Sequence, residues 1–420
     1  MLRPPASARP GRDKTSTPTL AMTMEVIMDT HDAGYPPYFD QDSCDLDAFK
    51  DLTSRRFTLD MAPHAMAVEK NVPIYDMAQL RPALNDPKAR RGLLAEWGWV
   101  LGQSAGVIAL KTAYVDTSVI DRASDVFRTI IADERARGAG AGDHFAAAGA
   151  NDRIWNALQK HCLHDPEGFA LYFGNPVIAA ACEAWLGPHY QMTAQVNQVR
   201  PGGKAQQAHR DYHLGFQTAE MAAQFPGQTH LLTARLTLQG AVAHCDMPLE
   251  SGPTKLLPFS QLYEPGYLAF HQPDFATYFD TACIQLPLSK GDALFFNPAL
   301  FHAAGENRTS NIERMANLLQ VSSAFGRAME AVDRCAMSQA LYPALLTLHR
   351  NGGLTEPEQH AAIAACAEGY AFPTNLDTAP PIGGNAPQTQ ADILRRALHD
   401  KTDPAALNAA LAALRARQLA

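Results

Sequence analysis

The chain has 420 residues, of which 46% are hydrophobic and 19% charged, enough to bury a sizeable core. Its formal net charge of -8 and pI near 6.0 provide no electrostatic footprint for nucleic acid or an anionic membrane surface, so neither is expected as a partner. The 7 cysteines are scattered and odd in number, with no Cys-x-x-Cys spacing; this argues against a disulfide frame or a zinc knuckle and for reduced thiols in the cytoplasm.

Residues 1–20 are rich in Pro, Ser, Thr and Arg and lack an apolar stretch, which reads as a disordered tail to about residue 24 rather than a secretory signal. A main domain is expected over residues 25–330, helical to about 190 and sheet-based from about 190 to 325. Gly106 to Leu110 reads as a short strand. Val119, Ile120, Ala123, Val126, Phe127, Ile130 and Ile131 recur at three- and four-residue steps, the mark of an amphipathic helix capped by Asp116-Thr117-Ser118.

The clusters Gly142-Asp143-His144-Phe145 and Asn151-Asp152-Arg153-Ile154-Trp155-Asn156 fall in a helical region. They read as a capped helix start with Ile154 and Trp155 in the core, the alternative being a cover over a site mouth that contacts substrate. His161, Cys162 and His164 imitate a metal spacing, but no second half follows. A helix from Pro176 is stopped by Gly187-Pro188. The period then moves toward two, with strands expected over residues 193–200, 231–242 and 293–296. Residues 331–420 read as a helical C-terminal extension, two helical stretches around a Pro/Gly/Asn-rich connector at 372–388. Its apolar faces would pack on the body or on a second subunit of a homo-oligomer.

The most informative motif is His209-Arg210-Asp211, followed by His302. Residues two apart on an extended segment point the same way, so the His209 imidazole and the Asp211 carboxylate can converge, and a remote histidine completes a triangle. Two imidazoles and one carboxylate on one face of an octahedron leave positions open, as a non-haem Fe(II) oxygenase needs for O₂ and an organic co-substrate.

The flanking sequence extends this. His209-Arg210-Asp211-Tyr212-His213 is followed by Glu250-Ser251-Gly252-Pro253-Thr254, then Pro258-Phe259-Ser260, and Lys290-Gly291-Asp292 ahead of His302, with Arg308 and Arg314 beyond. Over about residues 169–323 this order resembles the phytanoyl-CoA dioxygenase family of Fe(II)- and 2-oxoglutarate-dependent oxygenases. The family's Pro-Gly-Ser-His turn stands here as Pro258-Phe259-Ser260-Gln261. The chain also keeps a carboxylate at Asp211, where related halogenases carry a small residue, so hydroxylation is favoured over halogenation.

The resemblance implies an α+β fold with a double-stranded β-helix, or jelly roll, between N-terminal and C-terminal helices. It implies that His209, Asp211 and His302 bind Fe(II), and that 2-oxoglutarate is the co-substrate, converted to succinate and CO₂ as O₂ hydroxylates an unactivated C–H of a small or medium organic molecule. Arg314 is the choice for the distal carboxylate of 2-oxoglutarate, with Arg308 as competitor. Of the amides on the preceding strand, Gln198 is preferred to Asn197 because Arg200-Pro201-Gly202 follows it. Thr254 and Ser251 are placed at the co-substrate pocket, and His213 in a pocket or core role. Two alternatives remain at this stage: a non-catalytic jelly-roll binding protein, and a cupin-type metalloenzyme that does not use 2-oxoglutarate.

Overall fold

The computed structural model describes residues 38–137, 151–212, 217–384 and 386–419. The expected tail, the Gly142 to Phe145 cluster and His213 lie outside the described residues. The strands are β1 (Ala67–Glu69), β2 (Val72–Asp76), β3 (Val107–Lys111), β4 (Asn151–Ile154), β5 (Gln191–Val199), β6 (Thr237–Ala243), β7 (Lys255–Leu257), β8 (Ala293–Phe296), β9 (Phe301–Ala303) and β10 (Arg314–Ser322). Eight of them form one sheet in the order β1-β2-β3-β8-β6-β10-β5-β4, and β7 pairs with β9 in a second, two-stranded sheet. Among the described residues, β2 and β3 are the one parallel pair. With its flanking helices this is a mixed α/β fold built on a large sheet.

The amphipathic segment after Asp116 forms the helix Ser118–Ala136, whose buried stripe includes Ile120, Ala123, Phe127 and Ile130. The helix Pro176–Leu186 begins as its sequence requires. Asn175 accepts from the Val177 and Ile178 N–H groups, Pro176 stands where no N–H is needed, and Gly187 ends the helix at φ 80.

Helices cover one face of the large sheet. Asn317, midway along β10, donates to the Tyr172 hydroxyl on the helix Pro166–Phe173 at 3.1 Å. His161 is fully buried there among Phe127, Phe169, Tyr172 and Phe173. On β10, Met315, Asn317, Leu319 and Val321 are buried, whereas Ala316, Leu318 and Gln320 are half-buried and belong to the other face. That alternation decides which residues can reach a ligand.

The C-terminal region is four helices, Arg334–Asn351, Glu356–Cys366, Gln390–His399 and Pro404–Gln418. The buried Arg334 donates to the Met192 carbonyl of β5 at 2.9 Å, tying the first of them to the sheet. Among the described residues no single helix is long and apolar enough to cross a membrane.

Two sequence expectations are corrected. Residues 231–242 are not one strand: Gly227–Thr233 is helical and β6 starts at Thr237. Leu231 and Leu232, apolar residues that read as strand, are exposed on that helix. Residues 151–154 are a strand rather than a helix start, because β4 pairs antiparallel with β5, Asn151 facing Val199 and Ile154 facing Val196. Pairing along β5 overrides the local pattern, and the helix Ala157–His164 begins only after Asn156, whose φ is 53.

Candidate functional site

His209 and Asp211 lie on the segment that meets β9, which carries His302. The His209 N–H donates to the His302 carbonyl at 3.0 Å and the His302 N–H returns the bond at 3.1 Å, while the Asp211 N–H donates to the Pro298 carbonyl at 3.0 Å. Leu256 of β7 pairs with His302 from the other side. The three side chains converge: one ligand atom from each lies within 4.8 Å of the other two, and they are the only such metal-holding group among the described residues.

The backbone also sets the imidazole tautomers. Nδ1 of His209 donates to the Gln207 carbonyl at 2.9 Å and Nδ1 of His302 to the Leu300 carbonyl at 2.7 Å, which puts the lone pair of each neutral ring on Nε2. His302 Nε2 stands 3.8 Å from Asp211 Oδ2. Burial pushes the His302 imidazole down to about 4, with His209 acting in the same direction and Asp211 against it, so at neutral pH the ring carries a lone pair rather than a second proton. Gln239 of β6 donates through Nε2 to Asp211 Oδ2 and holds that carboxylate.

A cavity of about 280 Å³ opens from these residues. At one end is Arg314, the first residue of β10. It is buried, and Nη1 donates to the Ser251 carbonyl at 2.7 Å and the Gly305 carbonyl at 3.2 Å. No carboxylate among the described residues forms an ion pair with it. Burial lowers its pKa to about 10, which still leaves it positive at neutral pH. Arg308, the sequence competitor, has an exposed side chain and uses its backbone N–H to bond the Glu250 carbonyl. Thr254 lines the cavity.

The two β5 amides stand on opposite sides of the strand. Asn197 lines the cavity, whereas Gln198 donates to Glu313 Oε2 at 2.5 Å and is not in the cavity wall. Adjacent strand residues face opposite ways, and the hydrogen-bonding register with β10, Asn197 opposite Ala316, puts the odd-numbered residues of β5 on the cavity side.

Sequence reading missed a second end of the cavity, where Arg153, Trp155, Gln195, Gln320 and Met329 gather. Arg153 sits 5.0 Å over the Trp155 ring and donates to Gln195 Oε1 at 3.0 Å. The polar and aromatic cluster at 151–156 was the available signal, but reading it as helix concealed that Arg153 and Trp155 share a face. Ile154 alone of the expected core pair is buried.

A family model described as phytanoyl-CoA dioxygenase (PhyH) matches residues 102–316, which contain β3 to β9, the triad and most of the cavity wall. The chain belongs to the phytanoyl-CoA dioxygenase family. It is similar to Dioxygenase trt7 of Aspergillus terreus (strain NIH 2624 / FGSC A1156), 33% identical over 128 residues, 30% of this chain and 39% of that protein. Dioxygenase andF of Emericella variicolor is 26% identical over 144 residues, 33% of this chain and 45% of that one. The matched segment thus spans less than half of either relative.

Among solved structures, the non-heme alpha ketoglutarate dependent epimerase SnoN from nogalamycin biosynthesis matches at 21% identity and TM-score 0.40, over 57% of this chain and 82% of that one. AviO1 from Streptomyces viridochromogenes Tue57 matches at 17% identity and TM-score 0.40, over 57% of this chain and 97% of that one. In this member of the phytanoyl-CoA dioxygenase family, Arg314 lies two residues inside the end of the matched region, whereas Gln320 and Met329 lie beyond it.

Proposed function

We propose that the protein is an Fe(II)- and 2-oxoglutarate-dependent dioxygenase that hydroxylates an unactivated C–H of a small or medium organic substrate. The observation that carries the reading is Arg314, a buried guanidinium satisfied only by carbonyl oxygens, on the wall of the same cavity as a 2-His-1-carboxylate group. A buried cation without a counter-charge is costly unless an anion arrives to meet it. The fit to iron rests on the donor set: two imidazoles whose Nδ1 atoms are bonded to backbone carbonyls, and one carboxylate steadied by Gln239.

Iron with 2-oxoglutarate and O₂ supplies the oxidising power, the co-substrate leaving as succinate and CO₂. His209, Asp211 and His302 would hold the iron, His302 and Asp211 from within the protein and His209 from the segment paired with β9. Arg314 grips the distal carboxylate of 2-oxoglutarate with a planar fork that a lysine does not offer. Asn197 and Thr254 border the co-substrate, and Phe296, packed 4.7 Å from the His302 ring, helps exclude water. The eight-stranded sheet and the β7–β9 pair, with the triad and cavity at their meeting, support the double-stranded β-helix reading of the core. The 7 cysteines are all free, which supports a reducing compartment such as the cytoplasm.

The test is succinate formation from 2-oxoglutarate by the purified full-length chain with Fe(II) and O₂, alongside an Fe(II)-free control. Iron-dependent succinate is expected, and a metabolite mixture should stimulate it. Failure to bind either Fe(II) or 2-oxoglutarate would overturn the reading in favour of a binding jelly roll or a cupin-type enzyme.

A further inference from the structure

Three amides on the cavity side of the large sheet, Asn197, Gln239 and Gln320, have side-chain oxygens with no hydrogen-bond partner among the described residues, and two of them are neighbours. Gln239 of β6 and Gln320 of β10 stand directly opposite each other in the strand register, and both line the cavity. Opposed residues of this kind bring their side chains within about 4.5–5.5 Å at Cβ. Gln239 is only 3% exposed. Its Nε2 donates to the Asp211 carboxylate, which accepts only, so the orientation of the amide is fixed. Among the described residues its Oε1 is left buried with no hydrogen-bond partner, and Gln320 Oε1 is in the same condition.

An unpaired buried acceptor destabilises the protein unless a donor comes to it. Two of them side by side, next to the metal ligands, are the complement of donors that arrive with a ligand. The surroundings define the rest of that ligand. Phe296 flanks Gln239 on β8, and Leu318, Met329 and Trp155 complete an apolar surface. Two carbonyl oxygens disfavour an anion, and the Arg153 guanidinium over Trp155 is already met by the Gln195 amide and the Glu330 carboxyl, so it does not call for one.

We propose that Gln239 and Gln320 are the substrate-reading residues of this cavity, and that the primary substrate is a neutral, largely apolar molecule whose hydroxyl or N–H groups donate to their Oε1 atoms. The proposal rests on the iron and 2-oxoglutarate reading above and names the substrate class for that same site. It also couples substrate to metal. A donor bound at Gln239 Oε1 polarises the amide and strengthens its Nε2–H bond to Asp211, so the group that reads the substrate also steadies a metal ligand.

The experiment uses the full-length protein loaded with Fe(II) and 2-oxoglutarate under argon, so that binding is measured by calorimetry without turnover. The probes are fused-ring alcohols, each paired with the ketone of the same skeleton, with testosterone and androstenedione as the first pair. At least one alcohol is expected to bind about tenfold or more tightly than its ketone. Gln320→Met, which keeps the volume and removes the acceptor, should bring that ratio close to one. Gln239→Met should do the same and also weaken Fe(II) uptake, because Asp211 loses its donor.

If no alcohol outbinds its ketone, or if the preference survives both substitutions, the inference is wrong. The wild-type comparison stands by itself should either variant fail to fold. Uptake of Fe(II) and 2-oxoglutarate without any alcohol preference sinks this inference alone, whereas uptake of neither removes the underlying reading as well.

Discussion

His209 and His302 are joined through their backbones by a reciprocal pair of hydrogen bonds, 3.0 and 3.1 Å long, so their Cβ positions do not depend on the imidazoles they carry. Removing one ring should therefore empty the metal site without unfolding the strands around it. His302→Ala is expected to lose Fe(II) retention and succinate formation while its thermal melt stays within a few degrees of wild type, roughly the effect of a change under 1–2 kcal/mol. Iron content after desalting and a melt on the same sample check this. Full iron retention in the variant would remove His302 from the ligand set.

Arg314 and Arg308 test the proposed co-substrate anchor against its competitor. Arg314 is buried at the cavity wall, and Arg308 is exposed. Arg314→Leu should weaken 2-oxoglutarate by about two powers of ten or more, since losing a partner from a buried charge pair costs roughly 3–5 kcal/mol. Arg308→Leu should change it less than about twofold, in keeping with the small worth of exposed charges. Titration of 2-oxoglutarate against both variants checks the assignment, and a larger defect at Arg308 would move the anchor there.

Asn197 and Gln198 test the strand parity. Asn197→Ala should raise the 2-oxoglutarate or substrate requirement by about tenfold, the loss of one buried hydrogen bond. Gln198→Ala should leave both nearly unchanged and cost at most about 1 kcal/mol of stability through its bond to Glu313. Steady-state kinetics on the pair decide the matter, and equal defects would mean that the β5 register is not what positions the co-substrate.

That pair also marks how far sequence alone could go. The triad was legible because each ligand stands in a recognisable local motif, and Arg314 because a run of strand-forming residues follows it. Parity was not legible, since a one-residue shift of register exchanges the two faces of a strand and only pairing with β10 fixes it. Arg153 and Trp155 were hidden for a related reason. Their segment becomes a strand only by adding to the edge of β5, a non-local contact that no window around residues 151–156 contains. Gln239 and Gln320 lie 81 positions apart and face each other solely because β6 and β10 are neighbours in the sheet.

Two buried histidines behind the sheet give the stability a direction in pH. Among the described residues, neither buried ring nitrogen of His161 has a hydrogen-bond partner, and burial pushes it down to about 4. His244, bonded to Ser124 and Tyr172, is pushed down to about 3 by burial first and by His161 next. Each takes up a proton near 6.5 when unfolded, so below that pH the unfolded chain binds protons that the folded one refuses. Stability is therefore complete above about pH 6.5 and falls as pH drops toward the folded values, by roughly 2 kcal/mol from His161 alone at pH 5. His161→Leu should flatten this acid limb in urea titrations run from pH 7 to pH 5. An unaltered limb would show that His161 is solvated or paired in solution.

The C-terminal helices should behave as part of the core rather than as an appendage. Leu394 and Leu398 on Gln390–His399, and Leu407, Leu411 and Leu414 on Pro404–Gln418, are buried. The Tyr342 hydroxyl reaches the Ala397 carbonyl at 2.9 Å and the Thr402 carbonyl at 2.6 Å, binding the turn between these helices to Arg334–Asn351. That helix is anchored in turn to β5 through Arg334. Leu394→Ala should cost about 2–5 kcal/mol, the usual range for a buried leucine that leaves a cavity. Tyr342→Phe should cost about 1 kcal/mol, because carbonyl groups lose one shared donor. Deleting the chain from residue 388 onward removes all five leucines together and should lower the melt far more than either substitution, with succinate formation lost at temperatures where the full chain is active. A truncated chain that melts like the full one would show that these helices contribute nothing to the sheet they are tied to.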